Sequence, residues 1–268
     1  MNNKKGQMTV FRPMRSNWRT QSFNQNLACA KKNKWGGIQI PSVIRSKGGA
    51  FCPAGFEDFY KLIGLKGHNG WDMACWEGEP IYFPVDADCE WWVRNEVDQD
   101  GGIGLDVFSD RPIDIGELPK ECGRLAQDQY NGIYGDPKYG YEKHKVFVKI
   151  RLWHLSKSLV SDSKNNIPNK PEGYRDTKVK LGDLIALGGN TGASSGSHLH
   201  WSMKIVANNS GTLDTNNGYY GAVDFEKYYE DKFVVDVLDD VKEMALTAID
   251  LAKKVIFNVQ KFINSFIS

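Results

Sequence analysis

The stretch GGNTGASSGSHLHWSMK, Gly188–Lys204, decides how the rest of the chain folds. It places His198 and His200 two positions apart. Because side chains alternate between the two faces of a β-strand, both imidazoles would face one site while Leu199 and Trp201 face a core. The glycine-rich run before them lets the backbone turn tightly into such a strand. The stretch therefore predicts a strand with a functional site on one face.

Short strand-like runs separated by turn residues extend this pattern over most of the chain. They are Trp71–Ala74, Pro80–Phe83, Glu90–Val93, 102–108 and 146–155. Many short strands with turn signals between them are typical of antiparallel sandwiches and barrels. We therefore predict a mainly β protein, an antiparallel β-sandwich with loop insertions at about 29–58 and 109–145. One short helix is expected within residues 50–65.

The period changes at about Val234, where apolar residues begin to recur every 3.6 positions, with no Gly or Pro up to Ser268. This pattern predicts a long amphipathic helix, or two, over 233–268, after a β-rich domain over 1–232. Two interpretations of the tail remain open. It packs on the domain or self-associates, or residues 251–268, with three lysines and no acid, bind a membrane surface.

Composition excludes several other classes of protein. The net charge of +1 gives no reason to expect nucleic acid as a partner. The five cysteines are odd in number and lack a C-x-x-C pair, which argues against a complete disulfide framework but leaves one or two bridges open. The N-terminus has no apolar segment typical of a secretory signal, and no apolar run reaches the ~18 residues of a membrane span.

Two further motifs carry polar groups that suit a metal. His68 and Asp72 stand four apart in GHNGWD, and His154 ends the strand-like VFVKIRLWHL. A catalytic zinc has three protein ligands from imidazoles and carboxylates and one position for water, whose pKa falls to about 7. His68, Asp72 and one of the paired histidines would supply these ligands. The remaining two histidines would then handle the proton and stabilise developing charge.

From roughly Trp18 to Asp224 the chain resembles the lysostaphin/LytM-type zinc endopeptidases. The resemblance is carried by three motifs that occur in the family's order, GHNGWD, WHL and GNTGASSGSHLHW. The resemblance implies a duplicated hybrid motif fold, a small antiparallel β-sandwich with a groove over Zn²⁺. It implies hydrolysis of peptide bonds in peptidoglycan. By motif position, it implies His68, Asp72 and His200 as zinc ligands, His154 and His198 as catalytic histidines, and Tyr60 as a substrate neighbour. We assign proton handling to His198 and charge stabilisation to His154, and these two roles could be exchanged.

Two other functions remain open. The chain could be a non-catalytic binding or activator module of the same fold, or a virion or envelope component whose tail drives assembly. Without an export signal, a wall hydrolase is expected to reach the wall by lysis, virion delivery or non-standard export, as a phage-derived enzyme would.

Two local features have competing interpretations. A phosphate-binding role is not expected for GGNTGASSG, because this loop lacks a Lys-Ser/Thr ending and leads into a strand rather than a helix. Trp153 and Trp201 each neighbour a site histidine, which suggests stacking against a substrate. Strand alternation instead predicts that both indoles turn away from the site and pack in the core.

Overall fold

The computed structural model describes residues 7–25, 29–32, 34, 38–39, 52, 54–116, 118–122, 145–160, 178–208, 211–212 and 216–267. Their strands are β1 Thr9–Arg12, β2 Arg19–Gln21, β3 Cys29–Lys32, β4 Ile38–Gln39, β5 Glu57–Asp58, β6 Trp71–Ala74, β7 Pro80–Tyr82, β8 Val85–Asp86, β9 Trp91–Asp98, β10 Gly102–Ser109, β11 Ile113–Asp114, β12 Lys145–Leu155, β13 Lys157–Ser158, β14 Lys178–Val179, β15 Leu184–Leu187, β16 His198–Asn208, β17 Gly211–Thr212, β18 Ala222–Val223 and β19 Tyr229–Phe233. The α-helices are α1 Phe59–Leu62 and α2 Val234–Ile267, and short 3-10 turns cover Lys120–Cys122 and Glu226–Tyr228.

The largest sheet places its strands in the order β14-β9-β10-β12-β16-β6-β2. All of these neighbours pair antiparallel, and the two 11-residue strands β12 and β16 lie at its centre. Both central strands come from sequences rich in Val, Ile and aromatic residues, which suit a pleated, half-buried surface. This sheet carries the core on one face and polar side chains on the other.

A second layer covers the apolar face of this sheet. It consists of β8-β1-β19 and β13-β15-β7, in which β1 pairs parallel with β19 and all other neighbours pair antiparallel. Residues of both layers form one buried cluster, whose largest members are Trp71, Trp91, Trp201, Phe83, Phe108 and Phe225. The prediction of a mainly β, antiparallel fold is confirmed, with β1–β19 as a parallel exception.

The region before the first site motif is built around short elements. The predicted short helix is confirmed as α1, whose N-terminus is capped by Asp58 Oδ1 accepting from the Lys61 backbone N–H at 3.0 Å. Cys29 and Cys52 form a disulfide, one of the bridges that the sequence left open. Most of the chain in the predicted insertions at 29–58 and 109–145 lies outside the described residues.

The predicted C-terminal helix is confirmed as α2, but only its first turns contact the β-sheets. Val234 is fully buried, and Val235 and Val237 pack against Phe11 and Phe233. From residue 239 to residue 256 every side chain is exposed. Packing on the β-sheets therefore accounts only for the start of this helix. No helix among the described residues is long and apolar enough to cross a membrane.

Candidate metal centre

Three of the predicted ligands meet at one point on the polar face of the main sheet. His68 Nε2 lies 3.0 Å from His200 Nδ1 and 3.2 Å from Asp72 Oδ1. His200 Nδ1 lies 3.0 Å from the same carboxylate oxygen. The fold brings these atoms together across a long stretch of chain, since His68 and His200 are separated by 132 residues. The structure thus forms a His–Asp–His cluster that could hold a metal ion.

The geometry of this cluster fits zinc. A tetrahedral Zn²⁺ with bonds of about 2.0–2.1 Å needs ligand atoms about 3.3 Å apart. The three observed separations of 3.0–3.2 Å are only slightly shorter than this. His68 Nδ1–H donates to the Ser22 carbonyl at 3.3 Å, which leaves the lone pair of Nε2 directed at the cluster.

His200 gives a second indication that a cation belongs here. Its Nε2 atom is buried and has no hydrogen-bond partner among the described residues. If Nε2 carries the proton, the lone pair of Nδ1 faces the Asp72 carboxylate and the lone pair of His68. A cation between the three atoms would relieve this repulsion, so the donor set fits a metal better than a hydrogen-bonded triad.

Protonation states also suit metal binding. Burial lowers the pKa of His200 to about 4, although the neighbouring Asp72 acts in the opposite direction. Burial would raise the pKa of Asp72, but the neighbouring His68 and His200 outweigh it and hold the pKa well below its usual value. A neutral imidazole and an ionised carboxylate are the forms that bind a metal ion.

Local sequence explains how the ligands converge. Asp72 on β6 pairs directly with His200 on β16, so their side chains share one face of the sheet. Gly70 lies just before β6, and a Cβ atom there would approach the Trp201 carbonyl oxygen to 2.5 Å and His200 Cε1 to 2.8 Å. Gly70, the second glycine of GHNGWD, is therefore required by the close approach of the His200 ring.

His154 reaches the site through an unusual backbone conformation. Its φ is +63°, in the left-handed region that non-glycine residues rarely adopt. Its ring centroid lies 4.6 Å from that of His198 and 6.1 Å from that of His200. Burial and the nearby His198 lower the pKa of His154, which favours a neutral ring. Backbone strain at a site residue of this kind is typical of functional centres.

Thr191, in the glycine-rich loop, holds His154 in place. The Thr191 carbonyl accepts a hydrogen bond from His154 Nδ1 at 2.8 Å, so Nε2 is the unprotonated nitrogen of a neutral ring. The Thr191 hydroxyl donates to the Leu155 carbonyl at 2.7 Å and accepts from the Ile103 backbone N–H at 2.9 Å. This loop therefore binds the strand end that carries His154, a role that no motif in the sequence indicated.

His198 and Tyr60 complete the predicted set. His198 Nδ1 donates to the Gly196 carbonyl at 2.8 Å, and its Nε2 lies 3.7 Å from Asp72 Oδ1. Tyr60 is buried beside His68, with ring centroids 5.6 Å apart, and its hydroxyl accepts from Gln21 Nε2 at 3.0 Å. Burial, together with the charge of Asp72, raises the pKa of Tyr60 well above its usual value. All five histidine and carboxylate positions, and Tyr60, are thus brought together.

The prediction for the two tryptophans is half right. Trp201 is 1% exposed in the core, as predicted. Trp153 instead lies on the site face, where it pairs directly with His200 and stacks on its ring at 5.5 Å. Strand alternation fails here because the left-handed turn at His154 brings two consecutive side chains to the same face. The prediction that Trp153 faces the core is therefore wrong.

A buried ion-pair cluster adjoins the site on the same sheet face. Asp106 is fully buried and accepts from Arg151 Nε at 2.7 Å, Lys149 Nζ at 2.6 Å and Arg94 Nη2 at 3.0 Å. The Arg151 guanidinium lies 4.8 Å from the centroid of the Trp153 ring. The side chains from Asp106 to His200 therefore form a continuous chain of contacts.

Comparison with known proteins gives only distant similarity. No protein-family model and no curated protein matches the sequence. A zinc-containing peptidase from Vibrio cholerae is 18% identical with a TM-score of 0.39, over 85% of this chain and 41% of that one. This chain thus spans less than half the length of that protein.

This chain matches a larger share of two other solved structures. The catalytic domain of the antimicrobial peptidase lysostaphin from Staphylococcus simulans is 20% identical with a TM-score of 0.32, over 59% of this chain and 76% of that one. A catalytic domain of the prophage-encoded M23 protein EnpA from Enterococcus faecalis is 16% identical with a TM-score of 0.29, over 61% of this chain and 81% of that one. Similarity at this level establishes no activity for the chain, whose own residues must support any assignment.

Proposed function

We propose that this chain is a zinc-dependent endopeptidase that hydrolyses peptide bonds of peptidoglycan. The observation that carries the proposal is the meeting of His68 Nε2, Asp72 Oδ1 and His200 Nδ1 within 3.0–3.2 Å of one another. Two additional histidines, His154 and His198, stand beside these atoms. Three ligands with separate acid–base groups are the arrangement of a catalytic zinc site, since structural sites use four protein ligands.

Zinc bound by His68, Asp72 and His200 would act as a Lewis acid and would lower the pKa of a coordinated water to about 7. The protein residues supply the remaining functions. His198 directs Nε2 toward the ligand cluster while its Nδ1–H is held by the Gly196 carbonyl, so it is suited to accept and return a proton.

His154 is suited to stabilise charge. Thr191 fixes its tautomer, and the ring lies between His198 and His200. We assign it the developing oxyanion. Because Nδ1–H is held by the Thr191 carbonyl, His154 donates to that oxygen through Nε2 only after this nitrogen has taken up a proton, and a positioned donor of this kind stabilises an oxyanion strongly. The peptidoglycan peptide is proposed as substrate from the resemblance of GHNGWD, WHL and GNTGASSGSHLHW to wall endopeptidases. Tyr60, next to His68, would border the bound peptide.

Three single substitutions test this assignment on the full chain. His200→Ala should lose both zinc and wall hydrolysis. His154→Ala should retain zinc but lose activity by about 10²–10⁴-fold, since it removes a catalytic group and no ligand. His144 lies outside the described residues and outside the three motifs, so His144→Ala is the matched control and should keep both zinc and wall hydrolysis. Zinc is measured by elemental analysis and hydrolysis by mass spectrometry of fragments released from purified walls.

The same measurements separate the alternatives. Equal zinc content in wild type and His200→Ala would contradict the ligand assignment. A wild-type protein that holds zinc but releases no fragments from walls of two cross-link types would contradict the enzyme assignment and favour a binding module of the same fold.

A further inference from the structure

The helix α2 leaves a long apolar surface without a partner in the described part of the chain. Beyond its first turns, residues 239–256 are all exposed. Large apolar side chains there are more than half exposed, among them Val241 at 53%, Met244 at 68%, Ile249 at 51% and Val255 at 54%. Isolated helices in water gain little stability from propensity alone, because tertiary packing of an apolar face supplies most of it. An apolar surface of this length indicates an interaction site.

The spacing of these residues points to another helix as the partner. From Val234 to Phe266, the positions reached by moving alternately four and three residues along the chain are occupied only by Val, Leu, Ala or Phe. This is an unbroken seven-residue repeat, and such a repeat keeps one apolar seam facing a partner helix along a left-handed supercoil. Met244 and Ile249 widen the apolar face beyond this seam, and a broad face is all that a lipid surface requires, so it is the strict repeat that favours a helix as the partner.

The charges of α2 indicate a second copy of this chain in antiparallel orientation. Residues 236–250 carry five acids and one lysine, whereas residues 251–268 carry three lysines and no acid. The described acids and lysines of α2 are exposed. An antiparallel pair centred near residue 250 would place the acidic half of one helix beside the basic half of the other. A parallel pair would set like charges side by side. None of the five acids and three late lysines flanks the seam, so this preference acts over a distance and is strongest at low salt.

The position of the β-sheets favours the same orientation. Val234 is anchored at the sheets, so each copy of the β domain stands at the first turn of its helix. A helix of 34 residues is about 50 Å long, whereas packed helix axes are only about 8–10 Å apart. An antiparallel pair holds the two β domains at opposite ends, and a parallel pair would crowd them at one end.

We propose that α2 pairs antiparallel with α2 of a second copy, so that the protein is a dimer with its two His–Asp–His clusters at opposite ends of a helical connector. Ala248 occupies the middle of the seam, where its small side chain lets two backbones approach closely. The outer side of the helix at this level carries Thr247, whose hydroxyl bonds the Glu243 carbonyl at 2.9 Å. These adjacent residues provide a matched pair for testing the seam.

The test measures the mass of the full chain by analytical ultracentrifugation over a range of concentrations. Wild type should sediment as a dimer. Ala248→Asp should raise the dimer dissociation constant roughly 100-fold or more, because it buries an unpaired charge in the seam. Thr247→Asp adds the same charge outside the seam and should change the constant by no more than about twofold.

Orientation is tested by Asp239→Lys combined with Asp240→Lys, two exposed residues that stand opposite Lys261 in an antiparallel pair centred near residue 250. In an antiparallel pair these changes remove attraction and should raise the dissociation constant roughly tenfold at low salt, with a smaller effect at high salt. In a parallel pair they replace one like-charge contact by another and leave the constant unchanged, which would overturn the proposed orientation.

Other outcomes overturn the dimer itself. A monomer at every concentration, or a dimer that Ala248→Asp leaves intact, would contradict the proposal. A monomer that co-sediments with vesicles of equal phosphatidylglycerol and phosphatidylcholine would assign the apolar face to a lipid surface instead.

Discussion

Trp153 stacks on His200, with ring centroids 5.5 Å apart and ring planes inclined by 30°. The two residues pair directly across β12 and β16. A metal-binding histidine usually has its second nitrogen held by a hydrogen bond, which fixes the ring. His200 Nε2 has no such partner among the described residues, so the indole ring, lying against the imidazole, restricts its orientation instead.

Trp153→Ala should therefore lower the affinity for zinc by about 10-fold or more, the usual effect of removing a group that orients a ligand. Trp153→Phe keeps an aromatic ring against His200 and should lose much less. Affinity is measured by competition with a chromophoric chelator. Trp76→Ala removes an indole that is 54% exposed and serves as the control. Equal affinity in wild type and Trp153→Ala would show that the stack does not orient His200.

Gly70→Ala should disrupt the same ligand from the opposite side. The new Cβ atom would stand 2.5 Å from the Trp201 carbonyl oxygen and 2.8 Å from His200 Cε1, so β6 and β16 must separate. We expect a loss of zinc and a drop of about 1–3 kcal/mol in the free energy of unfolding, which is typical of overpacking. Both are measured on the purified protein, by elemental analysis and urea unfolding.

The control for this change is Gly196→Ala. No atom lies within 4 Å of a Cβ atom at Gly196, so stability and zinc content should stay near those of wild type. If Gly70→Ala behaved like Gly196→Ala, the close approach of the His200 ring would not be the reason for a glycine at position 70.

The sequence predicted the elements of this site better than their relative arrangement. The sequence predicts a strand over Trp71–Ala74, and β6 has these same bounds. The prediction succeeds because this short run is bounded by turn residues and its side chains alternate in burial along the strand. The motifs also identified His68, Asp72 and His200, which the fold brings together. Short-range patterns are sufficient for both predictions.

Features set by tertiary structure could not be read from the sequence. The face of Trp153 depends on the left-handed backbone at His154, where φ is +63°. The pairing of Cys29 with Cys52 depends on chain folding, since spacing does not define disulfide connectivity. The exposure of α2 is a property of the whole chain, because an amphipathic pattern does not reveal whether the apolar face is covered.

Thr191→Val tests the proposed role of the glycine-rich loop. Valine has the shape of threonine but leaves the Leu155 carbonyl and the Ile103 N–H without the hydroxyl that lies 2.7 Å and 2.9 Å from them. We expect a loss of about 2 kcal/mol in the free energy of unfolding, since two hydrogen bonds disappear. Turnover should also fall, because the hydroxyl bonds fix the position of the Thr191 backbone carbonyl, which accepts from His154 Nδ1.

Thr191→Ser retains the hydroxyl and should restore most of both properties. The measurements are urea unfolding and wall hydrolysis by the zinc-loaded protein. Valine and serine variants with the same turnover would contradict the link between this hydroxyl and His154.

Asp106→Asn tests the ion-pair cluster beside the site. The carboxylate is fully buried and holds Arg151, Lys149 and Arg94, whose side chains keep 21%, 15% and 30% exposure. Removing the charge should cost about 3 kcal/mol of unfolding free energy, the lower part of the usual range, because water partly solvates the three cations. Glu96→Gln removes a carboxylate that also pairs with Arg94 but is 27% exposed, and it should cost less than about 1 kcal/mol.

The stability that Asp106 contributes should depend on pH in a defined direction. Burial would raise the pKa of this carboxyl, but the hydrogen bond and charge of Arg151 and the charge of Lys149 hold it far below its usual value. A group whose folded-state pKa is lowered stabilises the protein above its unfolded-state pKa, which is about 3.9, and loses that contribution as the pH falls toward the folded-state pKa. The difference in unfolding free energy between wild type and Asp106→Asn should therefore be constant between about pH 5 and 7 and should shrink below about pH 4.

Urea unfolding of both proteins across this range provides the measurement. A difference that stayed constant down to the lowest pH, or grew on acidification, would show that the carboxylate charge is not the source of the stabilisation.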